Sequence, residues 1–273
     1  MGFERILILG CGYTGQRVLA GARLRGLPVV ATVRSVARVA ELERAGARVL
    51  QAEQLGDEIR PYIDRQTRVV VAFPADPETD ARVAPWLERA QSVVYISSTG
   101  VYGSLRGRVE HATPLPEAGD ERVARLRKAE QTYRKHGALV LRCPAIYGPD
   151  RGLHVRVLNG EHRIPGDGSQ CLSRIHVEDL AQLALSNVDA WGETLVVGDS
   201  EPAPHIDVVR FVCDVYRVPL PESAPLETLH ASLRADRAVD GAYALTRLQV
   251  QLRYPSYKQG MAPAATGLAP RTA

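Results

Sequence analysis

The sequence predicts an α/β fold in which a doubly wound parallel sheet carries helices on both faces, with a smaller C-terminal lobe. Through the first half of the chain, short apolar runs alternate with helical patterns. The runs are rich in Val, Ile and Leu and lack period-two alternation, which is typical of parallel strands buried on both faces. After about residue 146, glycines, prolines and short segments dominate. We therefore expect a main domain over residues 1–145 and a lobe mainly over residues 146–257.

Seven apolar runs that end at turn residues are predicted to be strands. The last of them lies near residues 194–198, inside the second half, and is expected to return to the main sheet. The predicted strands are Arg5–Leu9, Pro28–Val33, Arg48–Leu50, Arg68–Phe73, Ser92–Ser97, Ala138–Cys143 and Thr194–Val197.

Helices are predicted where apolar residues recur at helical spacing between these runs. Val18, Leu19 and Ala22 share one face of the first helix, and Gly26 is a stop signal. From Met261 onward the chain is rich in Ala, Pro and Thr without periodicity, so residues 258–273 are predicted to be a flexible tail. The predicted helices are Thr14–Arg25, the segment between Ser35 and Gly46, Thr79–Ala90, Asp120–His136, His176–Asn187, Ala203–Arg217 and Pro225–Leu233.

Composition excludes several classes of protein. Of the 273 residues, 45% are apolar and 24% charged, as in an ordinary globular protein. No run approaches the roughly 18 apolar residues of a membrane span, and Ile6–Leu9 is too short for a secretory signal, so a cytoplasmic protein is expected. The net charge of +3 is scattered, so neither nucleic acid nor a membrane is an expected partner. The four cysteines lack the spacing of a metal site, and none is predicted.

The most informative motif follows the first predicted strand and opens the first helix. It has the pattern G-x-G-x-x-G, formed by Gly10, Gly12 and Gly15 with Tyr13 and Thr14 before the last glycine. In a dinucleotide-binding loop the first glycine allows the tight turn, the second lets the backbone approach the pyrophosphate, and the third allows close helix packing. The alternative is a Gly-rich turn with no ligand. The position of the motif favours a Rossmann-type cofactor site.

The end of the second strand predicts which dinucleotide binds. An acidic residue there would hold the ribose 2′-hydroxyl of NAD, but the first one is Glu41. Arg34 and Ser35 stand there instead, and they can contact a 2′-phosphate. We therefore predict that NADP is preferred over NAD, the alternative being that Arg34 is a surface arginine at a helix start. Three residues at the ends of later strands complete the candidate cofactor site: Phe73, Pro74 and Ser97.

Four motifs in order resemble a known family. They are the GCGYTG loop, YISSTGVYG over Tyr95–Gly103, RCPAIYGPD over Arg142–Asp150 and GDGSQCLSRIHVEDLA over Gly166–Ala181. Their order and spacing resemble those of the extended short-chain dehydrogenases/reductases, the NAD(P)-dependent epimerase/dehydratase family. The resemblance runs from about residue 4 to residue 257. It implies a Rossmann-type sheet, a small substrate lobe, and oxidoreductase chemistry on a small carbonyl or hydroxyl metabolite.

The catalytic residues implied by this resemblance are incomplete. Ser98 matches the family's catalytic Ser or Thr, although a serine that only ends a strand would give the same sequence pattern. The family's Tyr-x-x-x-Lys pair is absent. Aligning Glu130 with the glutamate that usually follows that pair puts Arg122 at the Tyr position and Leu126 at the Lys position. Anchoring on Lys128 instead puts Ala124 at the Tyr position. The chain thus resembles the atypical branch of the superfamily.

Two tyrosines are candidates to replace the missing one. Tyr102 follows Ser98 by four residues, and Tyr147 follows the sixth strand, but either could simply pack in the interior. His176 could act as an acid or base, although a structural role beside Asp179 is the stronger interpretation, and His154 could face the cleft.

Further departures from the family concern the substrate. Ala145 replaces an Asn and Leu172 replaces an Arg that grips the phosphate of a nucleotide sugar, which disfavours such a substrate. Two hypotheses stay open. One is an NADPH-dependent oxidoreductase with a non-standard acid/base, and the other is a catalytically inactive NADPH-binding sensor or regulatory partner.

Overall fold

A computed structural model describes residues 2–229 and 231–269, in which seven strands form one fully parallel sheet. The strands follow the Val/Ile/Leu runs, and the central ones are almost wholly buried. The main sheet contains β1 (Arg5–Leu9), β2 (Val29–Val33), β3 (Ala47–Gln51), β4 (Thr67–Val71), β5 (Ser92–Ser98), β7 (Leu139–Cys143) and β11 (Thr194–Val196). Small two-stranded sheets use β6 (Gly107–Val109) with β13 (Arg237–Val239), β8 (Ala145–Tyr147) with β10 (Arg174–His176), and β9 (Ile164–Pro165) with β12 (Ser223–Ala224).

The strand order is β3-β2-β1-β4-β5-β7-β11. The chain therefore builds outward from β1 in one direction and then resumes at β4 in the other. The order reverses between β1 and β4, and open parallel sheets bind their ligands at the carboxyl ends of the strands beside such a point. This topology confirms the predicted Rossmann-type fold. It also confirms that the segment near residue 194 returns to the main sheet, because β11 pairs with β7.

Ten α-helices are found in the part of the chain that the structure describes, and several of them cover the main sheet. They are α1 (Tyr13–Leu24), α2 (Val39–Arg44), α3 (Pro77–Val83), α4 (Glu121–Lys135), α5 (Leu153–Leu158), α6 (Val177–Ala184), α7 (His205–Tyr216), α8 (Ala242–Leu248), α9 (Tyr257–Gly260) and α10 (Pro263–Thr266).

Alternate residues of each strand enter different cores, because successive side chains of a strand point to opposite faces. Ile6 and Ile8 join the core under α1 and α6. Leu7 and Leu9 join the core under α3 and α4. Both faces of the sheet are therefore packed mainly with apolar side chains.

The second half of the chain contributes to two units. One core around Tyr147 and Val208 joins α5, α7 and α9 into the smaller lobe. In contrast, Leu180 of α6 and Leu248 of α8 belong to a core of the main sheet. The segment 146–257 therefore supplies the lobe and also completes the cover of the sheet.

Three predicted helices differ in the structure. The segment between Ser35 and Gly46 begins as a 3-10 helix over Val36–Arg38 and is α-helical over Val39–Arg44. The segment Thr79–Ala90 is α-helical only to Val83 and continues as a 3-10 helix over Ala84–Arg89, because Pro85 has no N–H to donate within an α-helix. The segment Pro225–Leu233 contains 3-10 turns at Leu226–Thr228 and Ala231–Arg234 instead of an α-helix.

The predicted flexible tail is wrong for residues 258–269. These residues complete α9 and contain α10, and Met261 is only 1% exposed within the core of the lobe. The Tyr216 hydroxyl donates to the Met261 carbonyl at 3.0 Å. The rest of the expected tail, residues 270–273, lies outside the described residues. None of the helices described is long and apolar enough to cross a membrane.

Candidate functional site

The Gly-rich turn after β1 has a shape that requires glycine at two positions. Gly10 has a φ of +85°, and a Cβ built on it would lie 2.8 Å from Cβ of Phe73. A Cβ on Gly15 would lie 2.8 Å from the carbonyl oxygen of Gly10, so this glycine lets α1 pack against the turn. Nothing lies within 4 Å of a Cβ built on Gly12. The free space beside Gly12 leaves its backbone accessible to a phosphate group.

The first turn of α1 has N–H groups that the helix does not use. Its first hydrogen bond is donated by Gln16 to the carbonyl of Gly12 at 3.0 Å, so the N–H groups of the residues between them precede the helical ladder. This turn contains no acidic residue. A helix N-terminus of this kind favours an anion.

A cavity of about 530 Å³ lies beside the turn, at the carboxyl ends of β1, β2 and β4. The structure brings six of the ten predicted cofactor-binding residues to its wall. Arg34 is exposed and has no ion-pair partner among the residues described, and Arg38, which sequence reasoning missed, lies on the same wall. The six predicted residues on the cavity wall are Gly10, Gly12, Arg34, Ser35, Phe73 and Pro74.

The other four predicted cofactor residues lie outside the cavity wall. Tyr13, Thr14 and Gly15 form the first turn of α1, where Thr14 and Gly15 are buried. The guanidinium carbon of Arg17 lies 5.2 Å from the ring centroid of Tyr13, and burial raises the pKa of this phenol. Ser97 is 6% exposed and contacts α4 instead.

A buried polar network explains the positions of Ser97 and Tyr102. The Ser97 hydroxyl donates to Oε1 of Glu130 at 2.6 Å, and Glu130 is paired with Arg142. Nη1 of Arg142 donates to the Tyr102 hydroxyl at 3.0 Å, and Tyr102 is 0% exposed. The network joins β5, α4 and β7. It holds both candidate residues inside the protein, and neither lines the cavity beside the Gly-rich turn or the cavity beside Ser98.

Ser98, in contrast, lies on the wall of a second cavity, with a volume of about 350 Å³. Its hydroxyl oxygen accepts a hydrogen bond from the Gly100 N–H at 3.0 Å. Because a serine hydroxyl can donate and accept at the same time, its proton stays available to a ligand oxygen. The end of β5 is two strands away from the end of β1, roughly 10 Å at the usual strand spacing.

Helix α4 presents Arg122 and Leu126 to the turn that follows Ser98. A Cβ built on Gly100 would lie 3.0 Å from Cδ1 of Leu126, 3.2 Å from the Ser98 hydroxyl and 3.5 Å from Nη2 of Arg122. Arg122 also lines the cavity beside Ser98. This geometry agrees with the alignment based on Glu130. An arginine and a leucine therefore stand beside the Ser98 turn at the two positions where the resembling family has its Tyr and Lys.

Tyr147 and the two histidines are interior residues in this structure. Tyr147 is 2% exposed, its hydroxyl lies 3.5 Å from the carbonyl of Ser256, and its ring meets the ring of His176 edge-on at 5.1 Å. Nδ1 of His176 accepts from the N–H of Glu178, so this histidine caps α6. Burial raises the pKa of Tyr147 and lowers that of His176 to about 4. His154 is likewise fully buried. None of the three lines the cavity beside Ser98.

Sequence reasoning missed the charges around Ser98. Arg122 was recognised only as the residue at the Tyr position, and Arg237 carried no motif at all. The structure brings both to the cavity wall, together with Arg106 and Arg234. The one available signal was that Arg122 occupies the position of a reacting side chain in the resembling family.

Comparison with known proteins supports the fold assignment. No family model matches the sequence. A functionally unknown conserved protein from Silicibacter pomeroyi has a TM-score of 0.83 and 26% identity over 99% of this chain and 100% of that one. The dTDP-glucose 4,6-dehydratase of Bacillus anthracis, solved with NAD, has a TM-score of 0.76 and 17% identity over 94% of both chains. The UDP-glucuronic acid 4-epimerase of Bacillus cereus, also solved with NAD, has a TM-score of 0.72 and 17% identity over 94% of this chain and 96% of that one.

A curated relative matches part of the sequence. It is the 3-diazoavenalumate denitrifying reductase of a Streptomyces species, 28% identical over 138 residues. The match covers 45% of this chain and 45% of the relative, less than half of each. The structural neighbours confirm the resemblance indicated by the four motifs. The chain has a Rossmann-type fold, which these solved structures share.

Proposed function

We propose that this protein is an NAD(P)-dependent oxidoreductase that acts on a small carbonyl or hydroxyl metabolite without the usual Tyr–Lys pair. One observation carries the proposal. The Gly-rich turn and the hydroxyl of Ser98 lie at the carboxyl ends of β1 and β5, near the point where the strand order reverses. A dinucleotide on the turn would extend along this edge towards Ser98.

The residues of the first cavity fit a dinucleotide. The free space at Gly12 and the N-terminus of α1 suit the pyrophosphate. Arg34, and Arg38 paired with Glu41 at 3.4 Å, bring two cations to the wall that follows the end of β2, where an NAD site would carry a carboxylate. These charges support NADP as the preferred cofactor. The known structures bound to NAD and the relative named as a reductase support this class of chemistry.

Ser98 is proposed to bind and polarise the substrate carbonyl. Its oxygen is held by the Gly100 N–H, so its proton is directed to a substrate oxygen when one occupies the cavity. The bound nicotinamide would supply or accept the hydride. With Tyr102 and Tyr147 buried, the proton that completes carbonyl reduction would come from water in the cavity.

A second candidate function is an NADPH-binding sensor. The observation in its favour is Leu126, an apolar side chain that faces the Ser98 turn where the resembling family has its lysine. Leu126 cannot hold a nicotinamide ribose or lower the pKa of a phenol. Such a protein would bind the cofactor and not turn over.

Calorimetric titration with NADPH and NADH tests the cofactor assignment. We expect NADPH to bind at least tenfold more tightly, about 1.4 kcal/mol. Arg34→Gln should remove most of this preference, because the 2′-phosphate loses a charged partner. Arg44→Gln, an exposed arginine that does not line the cavity, is the matched control. Equal binding of the two cofactors to the unaltered protein would overturn the NADP assignment, and binding of neither would overturn the proposed function.

NADPH oxidation with a panel of small aldehydes and ketones then separates the two functions. Ser98→Ala should lower turnover by roughly 10²-fold or more while cofactor affinity stays the same. Unchanged turnover would exclude Ser98 from the reaction. Tight NADPH binding with no turnover over the whole panel would favour the sensor.

A further inference from the structure

We propose that the Ser98 cavity recognises a substrate that carries a carboxylate, and that Arg122 binds this carboxylate while Ser98 contacts the carbonyl or hydroxyl of the same molecule. This inference rests on the proposed function and adds the substrate class. It assigns a role to the arginine that stands where the resembling family has its reacting tyrosine.

The first argument is the excess of positive charge around the cavity. Its wall carries Arg106, Arg122, Arg234 and Arg237 against Asp120 and Asp236. Four cations therefore face two carboxylates in a volume of about 350 Å³. Such an imbalance attracts an anion, although three of the arginines, Arg106, Arg122 and Arg234, are exposed to solvent.

Both carboxylates already accept a hydrogen bond from a backbone N–H group. Oδ1 of Asp120 accepts from the Val123 N–H at 2.8 Å and caps α4. Oδ1 of Asp236 accepts from the Cys171 N–H at 2.9 Å. Within the described part of the chain, neither carboxylate lies within ion-pair distance of a cavity arginine, so the positive charge is not neutralised locally.

The arginines differ in how strongly they are held. Nε of Arg234 donates to the carbonyl of Leu229, and Nη1 of Arg237 donates to the carbonyl of Gly103 at 2.6 Å. The side chains of Arg106 and Arg122 have no hydrogen-bond or ion-pair partner among residues 2–229 and 231–269. Their guanidinium donors are free to bind a ligand.

Arg122 and Arg237 are close enough to affect each other. Burial, and next the positive charge of Arg122, lower the pKa of the Arg237 guanidinium. Two like charges, one on α4 and one on β13, thus line the same cavity. An anion bound between them would relieve their repulsion.

The distance between Arg122 and Ser98 suits one small molecule. Nη2 of Arg122 and the hydroxyl of Ser98 lie 3.5 Å and 3.2 Å from the same point, the Cβ position built on Gly100. A guanidinium can hold both oxygens of a carboxylate with parallel hydrogen bonds. The serine would then face a carbonyl a few bonds away. The volume lies near the lower end of the range for ligand pockets, which favours a small acid.

Binding of matched probe pairs tests this inference without relying on turnover. The pairs are levulinate with methyl levulinate, and 4-carboxybenzaldehyde with its methyl ester. Affinity is measured by calorimetry in the presence of saturating NADP⁺, so that reduction does not occur. We expect each acid to bind at least tenfold more tightly than its ester. Arg122→Gln should abolish the difference, Arg122→Lys should keep part of it, and Arg125→Gln, an exposed arginine on the same helix, should leave it unchanged.

The possible results separate this inference from the proposed function. Esters that bind as tightly as acids would overturn the carboxylate site, whether or not the protein reduces them. An acid preference that survives in Arg122→Gln would overturn the role of Arg122. An Arg122-dependent acid preference in a protein that never oxidises NADPH would support the carboxylate site and contradict the oxidoreductase function.

Discussion

Arg142 and Glu130 form a buried ion pair in which Nη2 of the arginine lies 2.8 Å from Oε2 of the glutamate. The arginine is on β7 and the glutamate on α4, so the pair attaches this helix to the sheet. The same two side chains bind the hydroxyls of Tyr102 and Ser97. The network thus positions the wall of the Ser98 cavity, and it explains why two residues of the motif Tyr95–Gly103 serve the interior.

Removing one member of this pair should strongly destabilise the fold. Glu130→Ala would leave the Arg142 guanidinium buried without its anion, and such losses cost about 3 to 5 kcal/mol. Urea-induced unfolding measures the effect. Glu121→Ala, which removes an exposed glutamate from the start of the same helix, should change the free energy of unfolding by less than about 1 kcal/mol. Similar values for the two variants would show that the pair does not anchor α4.

Substitution of two glycines in the β1–α1 turn should separate an effect on stability from an effect on cofactor affinity. Gly12→Ala places a methyl group where no protein atom lies within 4 Å, at a φ of −82° and a ψ of −149° that lies just outside the broad β region, so its thermal stability should fall less than that of Gly10→Ala. NADPH affinity should fall at least tenfold, because the methyl group would occupy the space beside the pyrophosphate.

Gly10→Ala is the contrasting variant. Its φ of +85° and the 2.8 Å approach to Phe73 should cost about 1 to 3 kcal/mol of stability. Full NADPH affinity in Gly12→Ala would contradict a phosphate site at this turn.

Asp80 should make stability depend on pH. Burial raises its pKa from 3.8 to about 6, although the bond donated by the Tyr133 hydroxyl lowers it. The folded protein holds this proton at pH values where the unfolded chain has lost it. The contribution of this proton to the free energy of unfolding is on the order of 3 kcal/mol. It is therefore fully present below pH 4 and is lost as the pH rises through 6.

Asp80→Asn should remove this dependence, so the variant should gain stability relative to the parent between pH 4 and pH 7 in urea unfolding. Tyr133→Phe should steepen the dependence, because it removes the bond that lowers the Asp80 pKa. Parallel pH curves for all three proteins would contradict this assignment.

Met261 tests whether the C-terminal segment is part of the folded lobe. The side chain is 1% exposed, and its carbonyl accepts from the Tyr216 hydroxyl. Met261→Ala should therefore destabilise the protein by about 2 to 5 kcal/mol. Leu220→Ala, at a side chain that is 52% exposed, should have little effect. An unaltered melting temperature in Met261→Ala would restore the interpretation of a flexible tail.

Much of the fold could be predicted from local patterns. Each of the seven main strands contains a short apolar run, and the Gly-rich turn follows one of them directly, so neither needed information from distant residues. The C-terminal tail was mispredicted because its packing depends on residues that are distant in the sequence. Its Ala/Pro-rich composition has no periodicity, and Met261 becomes part of a core only through contact with α7.

The features of the candidate site likewise divide into those that local sequence patterns predict and those that tertiary contacts decide. By itself, the sequence determined the sheet, the Gly-rich turn and the absence of the Tyr–Lys pair, because each of these depends on residues that are adjacent or regularly spaced. Only the tertiary structure decided that Tyr102 is locked in the interior by Arg142, forty residues away, and that Arg237 reaches the loop at Gly103 from a distance of 134 residues. The surroundings of a side chain, and so its charge balance and access to a ligand, are set by segments that meet only when the chain folds.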